Sequence, residues 1–187
     1  MSDLVRRQFV TCCAAGVCSA AFVSITPTAA AQSAEPDPKW LQSQLDSARL
    51  RYAKFIEVLG RELDEATKKR LLQALGRECA IQYRDVTWDK FKGDIKGFLK
   101  AVQEPSGWVA KAEYDEQAGT IRIVDRQKRC TCPLVQKSGT PADQCECTLG
   151  WQKETYSRIL GRPVEAEIEE SILRGGSRCV YLIKIKA

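Results

Sequence analysis

The sequence predicts an α+β domain: N-terminal helices packed on a four-stranded antiparallel sheet, in the chain order strand–strand–helix–strand–strand. Three observations carry that expectation. Apolar residues recur at steps of three and four through the first half of the chain and alternate through the second. Glycine, proline and aspartate punctuate the second half at the short spacing of hairpins. The chain has 187 residues, 44% hydrophobic and 28% charged, which suits one domain with a sizeable core.

The first thirty-one residues read as an address. Arg6-Arg7-Gln8-Phe9-Val10 leads into a mildly apolar stretch to Ile25, followed by Pro27 and Ala29-Ala30-Ala31. That is the charged region, apolar region and small-residue cleavage site of an export signal. The arginine pair resembles a bacterial twin-arginine signal, although Val5 and Val10 depart from its usual pattern. Residues 1–31 are therefore expected to engage the twin-arginine export machinery and to be cleaved near Ala31, leaving a periplasmic or exported protein; an uncleaved anchor is the alternative. Residues 32–39 form a flexible lead-in, and residues 40–187 the domain, with a helical half (40–104) and a cysteine-rich sheet half (107–187).

The first helix starts at Trp40, with Leu41, Leu45, Ala48, Tyr52, Phe55, Ile56 and Leu59 on its stripe, and Gly60 is expected to end it. Asp64 can cap the second, whose stripe is Leu71/Leu72, Leu75, Cys79 and Tyr83. A third helix spans Trp88 to Gln103, stopped by Glu104-Pro105-Ser106-Gly107. Trp108 to Tyr114 and Thr120 to Asp125 are strands joined by a turn over 115–119. A cysteine-bearing loop over 129–147 precedes a helix from about Thr148 to Leu160, broken by Gly161. Strands at Val164–Leu173 and Arg178–Ile185 flank the turn Arg174-Gly175-Gly176-Ser177. Glu165, Glu167 and Glu169 share one face of the third strand, where Arg122, Lys184 and Lys186 on neighbouring strands can offset them.

Composition removes several function classes. With no histidine, Ser-His-Asp and Cys-His catalysis, His-ligated metal and an imidazole relay are all absent. The formal net charge is +5 with both signs interspersed and no run of five basic residues, so no nucleic-acid partner is indicated. There is no phosphate loop, dinucleotide fingerprint or haem-attachment motif.

Cysteine is the conspicuous residue. Removing the signal takes away Cys12, Cys13 and Cys18 and leaves Cys79, Cys130, Cys132, Cys145, Cys147 and Cys179. Cys130/Cys132 and Cys145/Cys147 are two Cys-x-Cys pairs. In an extended segment residues i and i+2 share a face, so each pair can present two sulfurs together. Cys130, Cys132, Cys145, Cys147 and Cys179 are thus candidate ligands for zinc or an iron–sulfur cluster. The alternatives are disulfides in an oxidising compartment, or accessible thiols of a periplasmic redox or metal-carrier protein. A bond within either pair is strained. Cys79, on an apolar stripe, also reads as a small buried hydrophobe.

Two further sets complete the candidates. Trp108, Tyr114, Trp151 and Tyr156, with Phe98, can line an apolar pocket for a small molecule. Cys147 or Cys145, at the start of the fourth helix and near Glu146 and Arg129 in sequence, is the candidate nucleophile if the protein is an enzyme.

The segments Leu160-Gly161-Arg162-Pro163-Val164-Glu165-Ala166-Glu167 and Glu170-Ser171-Ile172-Leu173-Arg174-Gly175-Gly176-Ser177-Arg178-Cys179-Val180-Tyr181-Leu182-Ile183 resemble the C-terminal part of the 4-vinyl reductase domain family. They also look like the related 2-amino-thiazoline-4-carboxylic acid hydrolase-like proteins. The likeness covers about residues 128–186. It implies a small-molecule-binding α+β domain. In sensor members it implies a structural zinc held by a Cys before the helix, a Glu and a Cys on the next strand, and a Cys opening the last strand. Cys145 and Cys179 fall at the first and last of these positions, while Ser171 and Ile168 stand where the strand Cys and Glu belong. The expectation is an exported small-molecule-binding domain whose loop is held by metal or disulfides. An amidohydrolase-type enzyme using a Cys thiolate or a metal-bound water is one alternative, and a redox or metal-carrier protein the other.

Overall fold

Asp37 opens the first helix, α1 (Pro38–Glu62), by accepting the Lys39 N–H at 3.0 Å, with proline at the start of the first turn where its missing N–H costs nothing. The computed structural model describes residues 37–82, 88–135 and 139–186. The expected signal and most of the lead-in, and Tyr83, lie outside the described residues. Among those residues, no helix is long and apolar enough to cross a membrane.

α1 runs through Gly60 rather than stopping there; extended Leu63 ends it. Asp64 then accepts the Thr67 N–H at 2.9 Å and starts α2 (Glu65–Gln82), as its spacing predicts. The expected third helix is divided. Asp89–Phe91 forms a single 3-10 turn, Gly93 at φ 80° turns the chain, and Asp94 caps a shorter α3 (Ile95–Gln103).

The second half follows the predicted chain order: β1 (Val109–Asp115), β2 (Thr120–Asp125), α4 (Gln144–Leu160), β3 (Val164–Glu170) and β4 (Val180–Ile185). In space the order is β1-β2-β4-β3, every neighbour antiparallel. The last strand is thereby central, beside β2, and the two charged strands are edges. β3 ends earlier than its sequence suggests. A register shift between Ile168 and Glu170 ends the regular pairing, and Ile172–Arg174 becomes a 3-10 turn. The Glu170 carboxylate closes the connection by accepting from the Ser177 hydroxyl and the Arg178 N–H at 3.0 and 3.2 Å.

Alternation gives the sheet two faces. One carries Ile121, Ile123, Tyr181, Ile183, Val164 and Ala166, which form the core together with Leu149, Tyr156 and Ile159 of α4 and Phe98 and Val102 of α3. On the other, Glu165 pairs with Lys186, Glu167 with Lys184 and Glu169 with Arg122, as expected; Lys153 of α4 adds a second partner for Glu165. α2 lies on the side of α4 remote from the sheet. The two helices cross at glycines: a Cβ at Gly150 would lie 1.9 Å from the Gln73 carbonyl oxygen, and one at Gly76 1.7 Å from that of Cys147. Buried Lys68 of α2 holds the start of α4 through Asp143 at 2.7 Å, and also pairs with Glu65 at 2.7 Å.

Candidate functional site

One end of the sheet gathers most of the polar chemistry. Val109 at the start of β1 pairs with Asp125 at the end of β2, whose N–H donates to the Cys179 carbonyl at 2.9 Å just before β4 begins. Asp125 is in phase with Ile121 and Ile123, so its side chain belongs to the core face. Its Oδ1 is buried with no hydrogen-bond partner, and burial pushes the carboxyl up to about 7. Its charge acts on the phenols of Tyr156 and Tyr181, both of which burial also pushes upward.

Beside it lies a group of aromatic rings. Trp88 meets Phe98 at 5.2 Å, Trp108 at 4.9 Å and Trp151 at 6.4 Å between centroids; Trp108 meets Trp151 at 6.3 Å, and Phe98 meets Tyr156 at 5.7 Å. These are edge-to-face contacts of the favourable kind. Within the same part of the core, Trp88 Nε1 and Thr155 Oγ1 are buried without a partner. Buried polar atoms in folded proteins almost always have a protein, water or ligand partner. Here three such atoms border an aromatic cluster.

Of the expected pocket residues, Trp108, Trp151 and Tyr156 do come together, with Phe98. Tyr114 does not join them. It lines an open cleft of about 640 Å³ with Lys96, Leu99, Gln103 and Ala112. Trp88 and Asp125 are the residues that sequence reasoning missed. Trp88 reads in the sequence as the start of a regular helix, whereas it precedes a single 3-10 turn. Asp125 carried a usable signal, a carboxylate on the inward phase of an otherwise apolar strand.

The cysteines are arranged differently from the expectation. α4 begins at Gln144, so Cys145 and Cys147 sit in its first turn and not in an extended loop. Two residues along a helix are about 200° apart, and their sulfurs diverge. The Cys145 thiol donates to the Ser171 hydroxyl at 3.3 Å and senses Cys179, and Cys130 senses Cys132 as well as Cys179 and Cys145. Cys147 instead senses Cys79 and Cys132. The six described cysteines, all free, thus fall into two sets: Cys130 with Cys145 and Cys179, and Cys132 with Cys147 and Cys79. Cys130, which also senses Cys132, links the two sets. Among the described residues, no three Cys, Asp or Glu side chains are close enough to hold one metal ion. The proposed five-sulfur zinc or iron–sulfur site is therefore not gathered, because helical geometry splits one of its two pairs.

Gln144 joins the second set to α1. It is buried, its Oε1 accepts the Tyr52 hydroxyl at 2.6 Å, and its Nε2 donates to Cys132 Sγ at 3.7 Å. Arg49 Nε donates to the Pro133 carbonyl at 2.7 Å. α1 therefore straps the cysteine loop from outside.

Nor does the site activate a thiol. Burial pushes Cys147 to about 12 and Cys130 to about 11, and raises Cys145 and Cys79 as well. A nucleophile needs the reverse. Glu146 is buried and engaged by Gln73 at 2.9 Å and Arg174 at 3.2 Å, so it is not a base held ready for a neighbouring thiol.

No family model and no curated protein matches the chain. Solved structures do. A trafficking protein particle complex subunit 3 from Naegleria fowleri, covalently bound to palmitic acid, is 12% identical, with 78% of this chain and 97% of that chain covered at a TM-score of 0.54. The likeness is one of fold. The phenol-responsive sensory domain of the transcription activator PoxR, with phenol, is 16% identical over 73% of this chain and 74% of that one, at 0.43. A vinyl-4-reductase family protein from Methanocaldococcus jannaschii is 10% identical over 83% and 85%, at 0.36.

Proposed function

We propose that this chain is a small-molecule-binding domain whose site is the aromatic group between the sheet end and α4. One observation carries the reading: Asp125 Oδ1, Trp88 Nε1 and Thr155 Oγ1 are buried and unpartnered, Trp88 belongs to the cluster with Trp108, Trp151, Phe98 and Tyr156, Asp125 acts on that Tyr156, and Thr155 precedes it on α4. A ligand that is mainly apolar, with one hydrogen-bond donor for the carboxylate and one acceptor for the indole N–H, satisfies atoms that the protein leaves unsatisfied. The resemblance to 4-vinyl reductase domains supports the same class, and so does the palmitate held by the similar trafficking subunit. Export by the twin-arginine route would deliver the folded domain to an oxidising compartment. There, cross-links from Cys130 and Cys132 would hold the loop against β4 and α4. Sulfur ligation of zinc or an iron–sulfur cluster requires the two thiol sets to rearrange.

Tryptophan fluorescence tests the reading, because three of the four tryptophans border the site. Phenol, indole and palmitate serve as probes of the aromatic and aliphatic classes. Saturable change with at least one of them, weakened at least tenfold in Asp125→Asn, is the expected result. No saturable change with any probe, together with no organic molecule released on denaturing the purified protein, overturns it.

A further inference from the structure

Among the described residues, most of the exposed large apolar side chains lie on α1, with Leu71 and Leu75 of α2 the others. Ala53 and Ile56 are buried, while Trp40, Leu41, Phe55 and Val58 are 54%, 47%, 51% and 39% exposed. These four and exposed Ala48 lie along one flank of the helix. Leu41, Ala48 and Phe55 are spaced by seven residues, or two turns, and Trp40 and Val58 are five whole turns apart. Residues 37–44 are all exposed, and the first described hydrogen bond from α1 to the rest of the domain comes at Arg49. The N-terminal third of α1 thus carries an exposed apolar flank.

We infer that this flank pairs with the same flank of a second copy, two α1 helices crossing antiparallel at Ala48. The spacing supports a self-partner. Leu41 and Phe55 are equidistant from Ala48, and Trp40 and Val58 from the next position, so the reversed stripe matches itself to within one residue, with Leu41 of each copy over Phe55 of the other, as an isologous two-fold contact requires. Ala48 puts the smallest side chain where the two backbones come closest. The area fits as well. With aromatic side chains worth 150–250 Å² each, the four exposed residues leave on the order of 350 Å² of apolar surface per copy. At the apolar share of ordinary interfaces, two such faces make a contact of about 1,200 Å², the lower end of the stable range.

Sedimentation velocity of the full chain from 1 to 100 μM tests this. The expected result is a concentration-dependent dimer whose dissociation constant rises at least tenfold in Phe55→Glu, with the circular dichroism spectrum and melting temperature unchanged because Phe55 is already half in water. Under mild oxidation, Ala48→Cys cross-links two chains above the wild-type background. Leu50→Cys does not, since Leu50 is exposed on the opposite side of the helix. A monomer at 100 μM, a dimer indifferent to Phe55→Glu, or equal cross-linking at positions 48 and 50 overturns the inference. So does a monomer that sediments with phosphatidylglycerol vesicles, which assigns the face to lipid.

Discussion

Replacing Gly150 with alanine sets two physical effects against each other. In a helix interior, Gly→Ala is worth about 1 kcal/mol in favour of alanine. At the crossing of α2 and α4, however, the new Cβ would stand 1.9 Å from the Gln73 carbonyl oxygen, where ordinary contact begins at 3.4 Å. α2 must retreat by roughly 1.5 Å, and backbone cannot step aside as a flexible side chain can. Overpacking of this kind costs roughly 1–3 kcal/mol, and the rigidity of the obstacle argues for the upper end. The net expectation is a loss of about 2 kcal/mol, or roughly 4–8 °C in melting temperature for a domain of this size. Urea unfolding followed by circular dichroism measures it. Gly60→Ala in α1 is the control, because its Cβ would meet nothing nearer than 3.8 Å. It should gain roughly 0.5–1 kcal/mol. A Gly150→Ala protein as stable as Gly60→Ala would refute the close crossing.

Three other outcomes follow from the site. The Asp125 carboxyl ionises near 3.8 in an unfolded chain and near 7 when folded, so folding takes up a proton between those values. Stability is therefore full below about pH 4 and declines as pH rises through 7, by on the order of 4 kcal/mol; Asp125→Asn should remove that slope in urea titrations at pH 5 and 8, and parallel losses in both proteins would sink the assignment. Tyr52→Phe leaves the buried Gln144 Oε1 without its 2.6 Å donor. It should cost roughly 1–3 kcal/mol and speed alkylation of Cys132, as read by peptide mass mapping. Oxidation with glutathione disulfide should link Cys130 to Cys145 or Cys179, and Cys132 to Cys147 or Cys79. A dominant bond joining Cys145 to Cys147 would contradict the two-set arrangement.

Most of the fold is legible one residue at a time. The stripe of α1, the Asp64 cap, the Gly161 break and the alternation of β1 to β4 are local signals, and each local preference agrees with the element formed. The pairing of Glu165, Glu167 and Glu169 with lysines and an arginine on neighbouring elements also follows from alternation alone. Where the reading slipped, two local signals competed. Gly60 reads as a stop, but an exposed glycine in a long amphipathic helix costs less than the contacts on either side return. The helix at Gln144 starts earlier than its apolar pattern because its first turn is held by the tertiary partners Lys68, Tyr52 and Gln73.

That early start decides the chemistry. From the sequence alone come an α+β domain, a cysteine-rich loop, the absence of imidazole chemistry and four of the aromatic residues of the site. Only the tertiary structure decides how the cysteines group, that Trp88 completes the aromatic group, and that the Asp125 carboxylate turns a buried oxygen toward two phenols. The reason is range. Periodicity and capping act within a few residues, whereas the direction of a sulfur and the burial of a carboxylate depend on which distant element the fold lays against them.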